Sequence, residues 1–376
     1  MNRSYSATDI RIRNCRVVFE LVRQKEEILR PDISNDTGMT PPTVMKVVQS
    51  FLARSILKNA GEADTLLGRK PTRMVFNPNA AFAVGVLFEG GEMRAGLVNL
   101  AGEVIQNSRL SMDSSFSSET QAVLVDLVQK LTGNVNAPIL GIGLGVPGVV
   151  NTRKQIIEFA PLVGITSPLD CTGLCNEIKH RTGLNVCMDN DVNAAALGEF
   201  SYRKLKENDD LLYIAVGTGV GAGIILNGRL RRGARNLAGE LGYTVRNTEY
   251  HVSRSNPGWL ESQVGQESLK NRFQWSGYEK KEAIPPGLIS YLVEYLAPPI
   301  ANLATQLDMK TIIIGGMAAD ILGEPFLTPL QDKINMLSLE PAHVIPPACT
   351  DSGVTGAAML AIEKNLDDWL SAKENG

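Results

Sequence analysis

The sequence predicts an α/β protein in two unequal parts: a short helical head closed by a β-hairpin, then a long body in which strands alternate with helices. Three observations carry this. Apolar residues in the first 77 positions recur at helical spacing and are followed by two short β runs. From about residue 80 onward, apolar runs of strand length end in glycine-rich turns. The charge divides at the same place, with 13 Lys+Arg against 8 Asp+Glu in residues 1–76 and 24 against 32 in the remainder. A chain of 376 residues that is 44% hydrophobic holds two or three domains of roughly 100–200 residues each. The whole carries a net charge of only -3, yet a basic head on an acidic body suits a polyanion-binding module joined to something else.

The head reads element by element. Ile12, Cys15, Val18, Phe19 and Val22 fall at steps of three and four and predict a helix over Ile12–Arg23. A second short helix follows over Pro31–Asp36, and Gly38 suits the tight turn after it. Thr40 offers an N-cap with Pro41 just inside the next helix. That helix has Val44, Val47, Val48, Phe51 and Leu52 on one face and Thr43, Lys46, Gln49 and Ser50 on the other. A helix start aims N–H groups and a positive dipole end at phosphate, and short polar side chains with a lysine reach base edges in a major groove. Thr40, Pro41, Thr43 and Lys46 are therefore candidate contacts to duplex DNA. The same pattern also suits a small helical bundle with a solvated face. The hairpin favours the first reading: Ile56-Leu57 begins a strand, Asn59 to Asp64 is a turn, and Met74-Val75-Phe76 returns. Between them, Gly68-Arg69-Lys70-Pro71 places Arg69 and Lys70 to meet phosphate or a minor groove.

In the body, strands are predicted over Ala83–Phe88, Arg94–Leu100, Ile139–Val146, Leu211–Val216 and Thr311–Ile314, with Pro138 setting the onset of the third. Gly217 to Gly223 is a turn through which backbone N–H groups can approach an anion, but no GK(S/T) follows, so it is no P-loop. The five cysteines, Cys15, Cys171, Cys175, Cys187 and Cys349, are scattered. They form no CxxC pair and no disulfide framework, which predicts a reducing cytoplasm. Cys171 and Cys175 stand at helical spacing, but no partner His or Cys completes a metal set. No apolar run reaches the ~18 residues of a membrane span, and the N-terminus lacks the apolar core of a signal peptide.

The motifs then occur in an order that resembles the ROK (Repressor, ORF, Kinase) family. In the head they are Thr37-Gly38-Met39-Thr40-Pro41-Pro42-Thr43-Val44 and Gly68-Arg69-Lys70-Pro71. In the body they are Gly143 to Gly148 (GxGxPG), Asp189-Asn190-Asp191-Val192-Asn193 running on to Glu199, Gly217 to Gly223, Ala238 to Gly242 (AGExG), Gly258 to Glu261, and Ile314 to Gly316. The resemblance implies a winged helix-turn-helix over 1–77 and a two-lobed, actin-like, sugar-kinase-like domain. One lobe spans 80–190, completed by a C-terminal helix at about 355–376, and the other spans 191–354. It also implies that Asn190, Asp191, Glu240 and Glu261 hold sugar hydroxyls, chemistry that carboxylates and an amide suit. Asp191 would be the base in a kinase.

Three departures shape the expected function. Leu87 stands where family kinases have the Asp that helps hold the metal-nucleotide, and a leucine cannot ligate Mg²⁺. Tyr243 replaces a histidine that in the family meets both a structural zinc and the sugar, and residues 252–259 lack the zinc's cysteines. His251 stands alone nearby, and Trp259 is expected in the volume of the metal cluster. Leu162 follows Ala160-Pro161 where the family often has Asn. Leu162 and Tyr243 thus join the ligand-site candidates and make the pocket less polar, as for a pentose, deoxy or N-acyl sugar, or for a degenerate pocket. Family members handle glucose, N-acetylated amino sugars and xylose. The expectation is a cytoplasmic repressor of carbohydrate genes, without catalysis, zinc or other cofactor, with Asp191 a vestige of the kinase. Its partners would be operator DNA, a sugar or sugar derivative, and copies of itself in a homodimer or dimer of dimers. An active sugar kinase with a DNA-binding head, and a regulator controlled by a protein partner, are the alternatives.

Overall fold

The computed structural model describes residues 6–62, 72–89, 91–111, 118–206, 208–246, 248–277 and 283–372. The basic segment at 68–71, with Arg69 and Lys70, lies outside them.

The head begins with α1 (Ala7–Lys25). Ser6 and Asp9 form a reciprocal capping box at its start: the Ser6 hydroxyl accepts from the Asp9 amide at 3.1 Å and the Asp9 carboxylate accepts from the Ser6 amide at 2.9 Å. A short β1 (Glu27–Leu29) leads to α2 (Arg30–Thr37), which ends at Gly38 in the left-handed region. Then come α3 (Pro41–Ala53), β2 (Leu57–Glu62) and β3 (Thr72–Phe76), in a sheet ordered β1-β3-β2. The turn expected from Asn59 is corrected. Asn59 to Glu62 stay in β2, because β3 offers them partners, Met74 for Asn59 and Thr72 for Glu62, across an irregularity in register. β1 was not predicted, since three residues are too few to display a period of two.

The first large sheet contains β4 (Phe82–Glu89), β5 (Glu92–Asn99) and β6 (Val104–Ser111), then β7 (Ile139–Val146) after α4 (Ser118–Thr132). A small antiparallel sheet of β8 (Val149–Asn151), β9 (Ile156–Phe159) and β10 (Leu169–Asp170) follows, and α5 (Thr172–Thr182) leads to β11 (Val186–Asn190). The large sheet is ordered β11-β7-β4-β5-β6, with β7 parallel to both neighbours. α6 (Asp191–Tyr202) crosses to a second sheet built from β12 (Leu211–Val216), β13 (Val220–Leu226) and β14 (Arg229–Leu230). Helices α7 (Trp259–Val264), α8 (Gln266–Phe273) and α9 (Leu288–Leu307) precede β15 (Thr311–Gly315). α10 (Met317–Leu322), α11 (Glu324–Leu337) and β16 (His343–Ile345) complete the order β14-β13-β12-β15-β16. The chain closes with α12 (Ser352–Ser371). These two α/β lobes, with an N-terminal winged helix-turn-helix, give the fold class expected. No helix among the described residues is long and apolar enough to cross a membrane.

α12 organises the molecule. It lies directly on β7, where a Cβ added to Gly143 would stand 1.7 Å from the Ala357 carbonyl oxygen. It crosses α6 as closely, since a Cβ on Gly356 would stand 1.6 Å from the Ala194 carbonyl oxygen. Only glycine permits these approaches. Its C-terminal half carries the head. Val18, Phe19 and Phe51 share one apolar cluster with Leu366 and Leu370. Arg16 pairs with Glu363 and Asp367, and the Arg54 guanidinium stacks 4.6 Å over the Trp369 ring.

Candidate functional site

A cleft of about 120 Å³ opens between the lobes where β11 passes into α6. Asn190 caps α6, its carbonyl oxygen accepting from the Asn193 amide at 3.0 Å. Both hydrogens of its amide are committed, one to the Gly148 carbonyl at 3.0 Å and one to Asp191 Oδ1 at 2.9 Å. Asn190 therefore braces Asp191 more than it offers a donor to a ligand. Asp191 Oδ1 also accepts from the Val192 amide at 2.9 Å. Asn193 donates to Asp189 at 3.1 Å, and its buried Oδ1 has no hydrogen-bond partner among the described residues.

Glu240 and Glu261 come from the second lobe. Glu240 enters a single 3₁₀ turn, Leu241–Tyr243. Glu261 is the third residue of α7, where its oxygens accept from the Val220 amide at 3.1 Å and the Gly258 amide at 3.4 Å. Burial, then the charge of Glu261, pushes the Glu240 carboxyl up to about 7. Burial, then Glu89 and more weakly Glu240, pushes Asp191 up to about 8. Burial also raises Glu261, against the two amides that lower it. Asp191 and Glu240, crowded with Glu261 and Glu89 on one small cleft, resist ionising together. Near neutral pH they present both O–H donors and carboxylate acceptors, a set matched to a polyhydroxylated ligand.

The lobes already touch across this cleft. Asp189, the last residue but one of β11, accepts from the Arg232 guanidinium of the second lobe at 2.7 and 2.6 Å. The Phe159 and Tyr243 rings meet edge to face at 6.1 Å and 88°, and Arg254 stacks 5.4 Å from Phe159. Leu162, half exposed, reaches Gly219 of the opposite lobe, where an added Cβ would stand 2.8 Å from its Cδ1 and 2.3 Å from Glu261 Oε1.

A second cavity, about 450 Å³, lies on the other side of Asp191. Leu87 fills its floor, buried against Gly145 and Gly353. Arg94 spans it, donating to Glu89 at 2.6 Å and to Asp351, the N-cap of α12, at 2.8 Å. Glu89 thus faces both cavities.

On the head, Thr40, Pro41 and Lys46 are exposed and Thr43 is partly exposed, grouped at the start of α3. The Thr40 hydroxyl meets the Thr43 hydroxyl at 3.0 Å and accepts no helix amide, so the expected side-chain cap is absent.

All of Asn190, Asp191, Glu240, Tyr243, Glu261 and Leu162 line one cleft. Sequence reasoning missed Phe159, Asn193, Glu89 facing the cleft, Arg94 and the Asp189–Arg232 pair. Phe159 directly precedes the Ala160-Pro161-Leu162 stretch and Asn193 lies within the Asp189-to-Glu199 motif, so both could have been taken from there. Nothing local marks an ion pair formed 43 positions apart.

Comparison with known proteins agrees with this architecture. A xylose repressor of Caldicellulosiruptor bescii is 27% identical over 352 residues, covering 86% of this chain and 87% of that one. Among solved structures, a ROK family transcriptional regulator, a homologue of the E. coli MLC protein, matches with a TM-score of 0.74 at 20% identity. That match covers 96% of this chain and 98% of the other. A ROK family glucokinase from Streptomyces griseus, in complex with glucose and AMPPNP, matches with a TM-score of 0.61 at 23% identity, covering 75% of this chain and 99% of its own. These structural likenesses fix the fold. A profile of the ROK family matches residues 83–364, and the chain belongs to the ROK family.

Proposed function

We propose that this protein is a transcriptional repressor of carbohydrate genes, a non-catalytic member of its family that senses a sugar between its lobes. One observation carries the reading: the hydroxyl-binding side of the cleft retains its carboxyls, while the phosphate side has Leu87 in its floor and its Arg94 already paired. Leu87 offers no metal ligand. Glu89, Glu92, Asp320 and Asp351 line the larger cavity, and an acidic wall repels a triphosphate. Arg94, the cation best placed to meet a phosphate, is held by two of those carboxylates. The residues present do not fit a metal-nucleotide, so a sugar bound beside Asp191 meets no phosphoryl donor. The cleft of about 120 Å³ is well below the ~300–1,000 Å³ of drug-sized pockets, which favours a single monosaccharide over an oligosaccharide.

The exposed start of α3, with Thr40, Pro41, Thr43 and Lys46, is the surface offered to a major groove, and Arg69 and Lys70 would add backbone or minor-groove contacts. A homodimer on a palindromic operator, with half-sites one or two helical turns apart, suits such a head. The similarity to xylose repressors makes D-xylose the first probe. A gel shift on the protein's own promoter, with D-xylose, D-glucose and N-acetylglucosamine, tests the reading. Binding without sugar and release by one of the three is expected, and indifference to every duplex would overturn it. An active kinase is the second reading, favoured by Asp191 in the place of a base. It requires ATP-dependent turnover that Asp191→Asn abolishes.

A further inference from the structure

The family resemblance implies a structural zinc beside the cleft, and the donor set can be tested against it. The segment from Tyr243 to Trp259 offers two tyrosines and the exposed His251 but no cysteine. All five cysteines are buried elsewhere, and no group of three or more His, Cys, Asp or Glu among the described residues is placed to hold a metal. Zinc needs a tight set of thiolate, imidazole or carboxylate ligands, and these residues do not supply one. Something else must hold this segment, because it ends at Gly258, whose amide positions Glu261.

Two phenol hydroxyls converge on its far end. Tyr243 donates to the Asn256 carbonyl at 3.1 Å and Tyr250 donates to the Pro257 carbonyl at 2.5 Å. Adjacent carbonyls are thus tied back to both a residue at the start of the segment and one in its middle. The Tyr243 ring also packs edge-on against Phe159 of the opposite lobe. Arg254, from the segment itself, covers another part of Phe159. Trp259 turns away and packs on Tyr295 of α9 at 5.9 Å. The segment is therefore fixed at its far end by hydrogen bonds, at its exit by aromatic packing, and across the cleft by Phe159.

We infer that Tyr243 and Tyr250 do, by hydrogen bonding, the work of a metal centre, and that Tyr243 is a positioning residue linking the placement of Glu261 to contact between the lobes. Its hydroxyl sets where α7 begins. Its ring senses how far Phe159 stands, and so how closed the cleft is. The sugar-binding part of this inference rests on the function proposed above, while the stapling part does not.

The test uses the full-length protein, as wild type, Tyr243→Phe, Tyr250→Phe, the double variant, and Tyr243→Leu. Metal content after purification, backbone hydrogen exchange over 244–262 without ligand, and D-xylose affinity by calorimetry are measured on each. The wild type should carry no stoichiometric zinc and should keep its exchange pattern and affinity after dialysis against a chelator. The double Phe variant should exchange faster from Asn256 to Ser262 while α9 and the head keep wild-type protection, and D-xylose affinity should fall about tenfold. Tyr243→Phe keeps the ring and should lose less than Tyr243→Leu, which loses both functions. Stoichiometric zinc whose removal speeds exchange in the wild type would overturn the inference. Wild-type exchange in the double variant would do the same. If the wild type ignores D-xylose, D-glucose and N-acetylglucosamine alike, the sugar reading fails, while the exchange and metal results still decide the staples.

Discussion

Asp191 sits among three other carboxyls, and its ionisation opposes folding. Its carboxyl is raised from 3.8 to about 8 by burial first and Glu89 second. A group whose folded pKa lies above its unfolded one contributes stability fully below pH ~4, and that stability is lost as pH rises through about 8. Asp191→Asn removes the dependence. Thermal melts from pH 4 to pH 9 should show the variant gaining on the wild type as pH rises, by on the order of 5 °C across the range. A gap constant with pH would show that Asp191 titrates normally. Leu87 gives the complementary case. It is 3% exposed, wedged against Gly145 and Gly353. Leu87→Asp would bury a carboxylate near Glu89 and Asp191, where the cross-strand neighbour Arg94 is already held by Glu89 and Asp351, at a cost of about 2–4 kcal/mol. It should lower the melting temperature and yield no sugar-dependent ATP turnover in a coupled assay. Turnover would mean that Leu87 alone had silenced an intact kinase. That Asp191, Glu240 and Glu261 share one cleft was legible because each stands in a motif that resembles the family's. Arg94 and Arg232 were not, because a salt bridge depends on what the fold brings near and leaves no local pattern.

At the scale of elements, what was legible depends on periodicity. β4, β5, β7, β12 and β15 are apolar runs and could be placed to within a residue or two, whereas β6, β11, β13, β14 and β16 were not placed. The turn expected over Gly217 to Gly223 is corrected, because Val220 to Gly223 pair with β12 as the start of β13. α9 could not be placed, because Pro298 and Pro299 lie inside it, and prolines at helix-interior positions argue against a helix in any local reading. A C-terminal helix completing the first lobe was expected from the resemblance, but the closeness of its packing was hidden. Gly143 reads as part of a strand before a glycine-rich turn, yet its lack of a side chain exists to admit the helix backbone from another part of the chain. The crossing of α12 over α6 is as close, and it makes a direct test. Gly356→Ala would set a methyl 1.6 Å from the Ala194 carbonyl oxygen, so the helices must separate. Overpacking of this kind costs about 1–3 kcal/mol and sometimes more, despite alanine's better helix propensity. A fall in denaturation midpoint is expected in chemical unfolding. An unchanged or raised midpoint would show that the two helices are not in contact as described.

The whole molecule behaves as a head mounted on the same helix that floors the first lobe, so what fastens the two determines how a cleft event could reach DNA. Beside the Arg54–Trp369 stack, ion pairs and an apolar seam fasten them. Arg16 pairs with Glu363 and Asp367, but the acidic side chains are 66% and 48% exposed, and such pairs contribute at most about 1 kcal/mol in water with salt. Leu366 and Leu370 are buried in the cluster that holds Phe19 and Phe51 of the head. Removing a buried leucine side chain costs about 2–5 kcal/mol through lost transfer energy and the cavity left behind. The apolar seam must therefore dominate. Arg16→Ala should shift the melting temperature by less than about 2 °C, and operator affinity and its response to sugar should stay near wild type. Leu366→Ala should lower the melting temperature by several degrees and loosen the head, so that calorimetry separates a head transition from that of the body and sugar no longer releases the operator. Were Arg16→Ala the more damaging of the two, the head would be steered by charge, and repression would weaken steeply as salt screens those pairs.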